Sequence, residues 1–534
     1  MKIKETKEQI LLKEMKENLS DIYNQLGITY SEMQEYDKAI KNLDKAIEIN
    51  PDNSLAYNNL GFIYSEQKDF ENAISKYKIA IEKGNTIAYN NLGTIYLSQE
   101  RYKEAEDSYK KALISFKDNS MILYNLGIFY FEQEQYDEAI KFYEKSLEIQ
   151  DDEATRFHLG LVFSLTNQYE KAKNNYEKVT KNPRFSFPYL NEIYLQMIKN
   201  IKELDSEILV RIILMMYFTD EILKRCHIKI DNIAHYTSIN VFSKILEGKK
   251  NEEDEKIKEK FLRMGISHLC NDPTEGHLLY NYLELPIERL IEQYLCFLTC
   301  FSLDTDSLNQ FRLYGKENGR EATGVAIVLN SSFFSKDFNN LDYFCEKSSS
   351  KIKFEETNKI IKTEHRSLYR CIYFGFDNKN KERIYCKLAK RSEWSEFNEI
   401  HKSQEDYDNL EKLEKEIENS IKKIMEHNNM LVETKMTKVT NLIPEILMPL
   451  RYLIKDPAYE EERECRIIKI LKFGNEEIIE DNELKRIYSE YKVNIEDHIA
   501  YINIHQRQEL YTTFFQNKLK DRNKVKISKN PFNG

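Results

Sequence analysis

At 534 residues, with 41% hydrophobic and 31% charged side chains, the chain is too long for one ordinary core and too apolar to be disordered. Its net charge of −10 excludes a protein-wide nucleic-acid footprint. No apolar run approaches the roughly 18 residues that a membrane span needs.

The N-terminal stretch "MKIKETKEQILLKEMKENLSD" is charged throughout and lacks the apolar core and small-residue site of a signal peptide. A cytoplasmic location is expected, with residues 1–18 as an N-terminal helix.

From residue 19 the chain repeats itself. "YNQLGITYSEMQEYDKAIKNLDKAIEINP" is followed by "YNNLGFIYSEQKDFENAISKYKIAIEKG" and "YNNLGTIYLSQERYKEAEDSYKKALISF", and then by two further copies. Glycines recur at Gly27, Gly61, Gly93, Gly127 and Gly160, and alanines twelve positions later at Ala39, Ala73, Ala105, Ala139 and Ala172. Small residues in register mark where two helices approach closely, and a helix pair that cannot bury its own apolar face must stack on others. The pattern resembles the tetratricopeptide repeat over residues 19–183. The resemblance implies a superhelix whose concave face is lined by the first helix of each pair and receives a protein or peptide partner.

Just before Leu-Gly stand Asn59, Asn91 and Asn125, in three successive repeats. A carboxamide donates and accepts at once, which suits the backbone of an extended peptide. In proteins of this resemblance such a ladder holds peptide backbone; here it is interrupted by Gln25 and His158. An asparagine tolerated as a plain polar residue is the alternative. The aromatic-rich residues 184–228 are expected to form capping and linking helices.

Beyond residue 228 the repeat stops and short β-like runs appear: "IAHYTS", "FLRMGIS", "YLCFLTCFS", "ATGVAIVLN", "LYRCIYFGF" and "ECRIIKIL". Helical stretches between them point to an α+β domain over residues 229–475. A charge-dense helical insertion is expected at about 395–440, as a coiled-coil arm or a solvated helix, and a helical, basic tail over 476–534.

All eight cysteines lie at or after Cys226 and form no Cys-x-x-Cys pair, so reduced, mostly buried thiols are expected. His268, Cys270 and His277 in "HLCNDPTEGH" match no common zinc spacing, and no metal is assigned. Phosphate-loop, nucleophile-elbow and zinc-helix motifs are absent.

The ordered set "HYTS…ILEG", "LRMGISHLCNDPTEG", "CFS", "LNQFRLYG…GREATGVAIVLN" and "KDPAYEEERECRIIKI" resembles a bacterial family known as domain of unknown function 2971, over residues 232–472. Phe311 and Tyr459 stand where that family usually has tryptophan. The opening His-Tyr-Thr strand, followed by a helix closing on glycine, is also similar to ADP-ribosyltransferase-like folds. That similarity implies NAD as cofactor, with His235 on a ribose hydroxyl, Tyr314 (or Tyr236) stacked on the nicotinamide, and Glu464 or Glu462 stabilising an oxocarbenium-like ribose. Thr237 lies on the strand face of His235, and Arg466 or Arg312 would meet phosphate. Two-residue alternation is expected to place Glu460, Glu462, Glu464 and Arg466 on one face.

The same residues suit a structural role. His235 can bond a backbone carbonyl, and Glu462, Glu464 and Arg466 can form an ion-pair network with Arg312 or Lys455. "NDPTEG" forms a turn, and Tyr314-Gly315 a helix end. Two functions follow: a scaffold that binds a partner through its repeats and presents a C-terminal effector domain, or an ADP-ribosyltransferase-like enzyme whose repeats select the target. A non-catalytic nucleotide or RNA-phosphate binder is a weaker third.

Overall fold

The structure is a computed structural model. It describes residues 7–33, 35–181, 185, 188–198, 204–228, 230, 232–247, 249–250, 258–266, 277–283, 285, 294–304, 310, 324–334, 368–376, 384–388, 404–434, 437–472, 475, 477–481, 486–491, 493–504, 511–519 and 521–528. The chain divides into two compact units, Met1–Pro183 and Arg184–Gly534.

The described residues of the first unit form five helix pairs: α1 (Lys7–Glu32) with α2 (Tyr36–Ile49), α3 (Ser54–Glu66) with α4 (Phe70–Glu82), α5 (Ala88–Ser98) with α6 (Tyr102–Ser115), α7 (Ser120–Glu132) with α8 (Tyr136–Ile149), and α9 (Glu153–Leu165) with α10 (Tyr169–Tyr176). The N-terminal helix expected over 1–18 is no separate element, because α1 runs unbroken from Lys7 into the first repeat. Each repeat glycine lies under a side chain of its partner helix. A methyl group added at Gly93 would fall 2.6 Å from the Tyr109 ring, and one at Gly61 would fall 2.7 Å from the Tyr77 ring. Second helices pack against the first helix of the next pair: Ala39, Leu43 and Ala46 form one buried cluster with Ala56, Leu60 and Ile63.

The second unit is α+β. Helices α11 (Pro188–Ile198) and α12 (Ser206–Cys226), expected as a cap and linker, pack inside it, with α12 along the long helix α15 (Gln404–Glu433) and against α16 (Thr437–Arg451). Between them in sequence lie α13 (Ile239–Glu247) and α14 (Leu278–Tyr282), and α17 (Tyr511–Lys518) follows.

The strands are β1 (His227–Ile228), β2 (Ile233–Ser238), β3 (Lys249–Lys250), β4 (Lys258–Glu259), β5 (Leu262–Ile266), β6 (Tyr294–Ser302), β7 (Gly324–Leu329) and β8 (Leu368–Arg370). They continue with β9 (Ile372–Phe376), β10 (Ile384–Leu388), β11 (Ile454–Lys455), β12 (Glu464–Lys472), β13 (Ile479–Asp481), β14 (Arg486–Tyr491), β15 (Ile499–Ile504) and β16 (Val525–Ile527). The large sheet runs β1-β8-β12-β6-β2-β7-β15-β16, with β5, β14 and β13 branching from β6; β10-β9-β11 form a second sheet. One face of the large sheet carries the main core, including Ile233, Phe301, Ile327, Cys465 and Ile467 with Phe242 of α13 and Phe515 of α17.

Two expectations change here. The segment 476–534 is not a helical tail, since β13 to β16 join the large sheet. Nor is the described part of the insertion a solvated arm. Ile417, Ile421, Ile424 and Leu431 of α15 are at most 1% exposed, because their spacing of three and four makes one apolar stripe for α12 to cover. Arg225 bonds Glu416, and Arg211 meets His427, so the two helices run antiparallel.

Candidate functional site

The amide ladder of the first unit is built between repeats. The Nδ2 of Asn59 donates to Oδ1 of Asn24 at 2.8 Å, that of Asn91 to Asn58 at 3.0 Å, and that of Asn125 to Asn90 at 2.9 Å. The column continues with His158, whose Nδ1 lies 3.4 Å from the Tyr124 hydroxyl. The donor column is the one the sequence singled out. Its acceptors, one position earlier in each preceding repeat, were missed, although the doublets Asn58-Asn59 and Asn90-Asn91 carry the signal. Asn59, Asn91 and Asn125 are half-buried. One N–H of each is committed to the stack, and among the described residues the Oδ1 atoms have no partner. The Oδ1 and the second N–H of each therefore carry no bond to the described residues.

In the second unit, His235, Glu462 and Glu464 line one small cleft, with about 50 Å³ of free volume, together with Tyr236, Cys300, Ser302 and Gln310. The sheet explains why a cleft forms here. One edge of β6 is shared: β5 pairs with Phe297 and Leu298, and β2 only with Ser302. Between these contacts β2 and β6 part. The imidazole of His235 reaches into the gap and donates from Nδ1 to the Cys300 carbonyl at 2.9 Å, a group that a continuous ladder would bond with backbone N–H. This leaves Nε2 as an acceptor, with no partner among the described residues. Burial holds the imidazole below its ordinary pKa, and the carbonyl bond opposes that shift.

Ala234, Ser302 and Glu464 stand in one row across β2, β6 and β12, so their side chains share a face. His235 projects to the other face, with Phe301. The two groups therefore meet the cleft from opposite sides.

Glu464 and Arg466 do alternate along β12, but Glu460 and Glu462 do not continue that strand. Asp456 caps a 3-10 helix over Pro457–Glu462, accepting from the Ala458 N–H at 2.8 Å, and Arg463 is left-handed at φ 47°. Proline at the first helical position and this kink break the alternation. The turn still returns Glu462 to the cleft, because Ser302 Oγ and Gln310 Nε2 both donate to its carbonyl at 3.1 Å.

Both carboxylates converge on Lys455. Its Nζ lies 2.5 Å from Glu462 and 2.5 Å from Glu464, whose other oxygen accepts from Arg466 Nε at 2.7 Å. Burial alone would lower the pKa of Lys455, but Glu464, Cys371 and Glu462 hold it above the ordinary lysine value. Burial pushes the Glu462 carboxyl up, with Lys455 pulling the other way.

Thr237 is buried and does not line the cleft. Arg312 and Tyr314 lie outside the described residues, as do His268 and Cys270. Among the described residues no three His, Cys, Asp or Glu side chains gather to hold a metal ion, and no helix is long and apolar enough to cross a membrane.

Residues 118–184, 86–114 and 55–82 match family models described as tetratricopeptide repeat, and residues 27–68 match one described as TPR repeat. The first unit is a stack of tetratricopeptide repeats. Among solved structures, the chain is similar to PilF of Pseudomonas aeruginosa at 21% identity, covering 37% of this chain and 91% of that one, with a TM-score of 0.32. A thermophilic TPR protein of Thermus thermophilus is similar at 16% identity, covering 35% of this chain and 100% of that one, with a TM-score of 0.29. No curated protein matches the chain.

Proposed function

We propose that the protein is an interaction scaffold whose tetratricopeptide repeats hold an extended segment of a partner protein and present the α+β unit as its output module. One observation carries the reading: Asn59, Asn91 and Asn125 are each oriented by the preceding repeat and keep a carbonyl oxygen for a ligand. Equivalent amides on stacked helices suit a repeating backbone better than a compact ligand. The test is binding to an array of extended peptides by the wild type and by the Asn59/Asn91/Asn125→Ala triple variant. Asn24→Ala/Asn58→Ala serves as a control that loosens the ladder and leaves the three proposed contacts in place. Binding that the triple variant loses and the control largely keeps supports the reading. Equal binding by wild type and triple variant removes it.

A second reading draws on the similarity to ADP-ribosyltransferase-like folds, and it is favoured by the meeting of His235 with Glu462 and Glu464 on one cleft. Of the two carboxylates, Glu462 fits the role better, since Arg466 and Lys455 occupy both oxygens of Glu464. His235 Nε2 would accept from a ribose hydroxyl, and bound NAD would supply the transferable ADP-ribosyl group. Calorimetry with NAD, on wild type and on His235→Ala and Glu462→Gln, tests it. Absence of heat at millimolar NAD ends this reading.

A further inference from the structure

In the second to fifth repeats the first helix buries two positions that pack on the preceding pair. Ala56, Ala88, Ile122 and Thr155 fill one; Leu60, Leu92, Leu126 and Leu159 fill the next, and none is more than 4% exposed. In α1 the equivalent residues are Ile22 and Leu26, which are 57% and 40% exposed. The stripe continues toward the N-terminus through Leu19, Met15 and Leu12, at 45%, 61% and 55%. An apolar face on a repeat stack calls for a surface to cover it. Here α1 carries such a stripe, continuous with the interface between repeats.

The residues that cover it can be read from the spacing. Leu12, Met15, Leu19, Ile22 and Leu26 alternate steps of three and four, the seam of a two-helix coiled coil. The series is close to symmetric about Leu19. Turned end over end, it lays Leu12 on Leu26, Met15 on Ile22 and Leu19 on itself, over about 21 Å of helix. No charge interrupts the seam: Lys13, Glu14, Lys16, Glu17 and Asp21 all lie off it. A surface that complements itself by rotation is what a two-fold dimer requires. We propose that α1 pairs with α1 of a second copy of this chain as an antiparallel seam centred on Leu19.

The test uses the full chain in sedimentation equilibrium across a concentration series. The expected result is a dimer for the wild type and a monomer for Leu19→Glu, which sets like charges together on the two-fold axis. Leu19 is half out of the fold in the single chain, so Leu19→Glu should keep its helix content and melting profile. Orientation is read by crosslinking: Leu19→Cys should give a covalent dimer on oxidation, and a mixture of Leu12→Cys with Leu26→Cys should crosslink where Leu12→Cys alone does not. A monomeric wild type overturns the proposal. So does a Leu19→Glu variant that stays dimeric, or a Leu12→Cys variant that crosslinks to itself.

Discussion

Lys455 sets its ammonium 2.5 Å from a carboxylate oxygen of Glu464, and each side chain is only 5% exposed. A second carboxylate, Glu462, reaches the same ammonium and is 16% exposed. Removing the cation strands buried negative charge, which costs about 3–5 kcal/mol where one partner of a buried pair is deleted. Lys455→Met is therefore expected to destabilise the second unit by that order in urea unfolding at neutral pH. Adding Glu464→Gln should restore part of the loss. A Lys455→Met protein as stable as the wild type would show the network to be energetically idle.

Glu462 gives the network a pH dependence. Its carboxyl is held above the ordinary value of 4.5, chiefly by burial. The folded state thus binds the proton more tightly than the unfolded chain does. Its contribution to stability is complete below about pH 4.5 and is lost as the pH rises through the raised folded value. Glu462→Gln removes that titration. Melting curves at a series of pH values should show the variant gaining on the wild type from pH 4.5 upward. Parallel profiles would refute the assignment.

What the sequence disclosed and what it hid follow from the range of the interactions. The repeats were legible because Gly, Ala and the second-helix aromatic recur in register, and six strand-like runs correspond to β2, β5, β6, β7, β8 with β9, and β12. Glu460 and Glu462 were misplaced because alternation was carried from β12 back across Arg463 into the 3-10 helix that begins at Pro457, where the backbone turns. Strands β13, β14 and β16 escaped because they are three to six residues long and carry charge, so only sheet pairing defines them; β15, "IAYINI", carries no charge and escaped because a single short apolar run is no stronger a strand signal than a helix signal. The stripe of α15 was masked by the charges around it, since burial there depends on α12, about 200 residues earlier in the chain. The gap between β2 and β6 that makes the cleft is a property of three strands together.

Close packing under the repeat glycines makes a separate prediction. Tyr109 is 1% exposed, so its ring has little room to retreat from a methyl group added at Gly93. Alanine favours the helix by up to about 1 kcal/mol over glycine, whereas overpacking a filled core costs roughly 1–3 kcal/mol. Packing should win, and Gly93→Ala should lower the melting temperature of the repeat unit. A rise would mean that the ring shifts freely and that helix propensity decides.

Asn90 and Asn125 separate the structural from the binding role of the ladder. Asn90 is 3% exposed and accepts from Asn125, which is half-buried. Asn90→Ala deletes a typical hydrogen bond, worth about 1 kcal/mol, and leaves the Asn125 amide in place but less well oriented. Asn125→Ala removes the same bond and the proposed ligand contact together. Asn125→Asp turns the donor into an acceptor facing the Asn90 oxygen, so it should cost more stability than either alanine. The expected order of stability is wild type, then the two alanine variants at similar values, then Asn125→Asp. Peptide affinity should instead fall further for Asn125→Ala than for Asn90→Ala. Chemical denaturation and fluorescence anisotropy on the wild type and the three variants give both orders. Equal affinity losses for the two alanine variants would confine the asparagine column to holding the stack together.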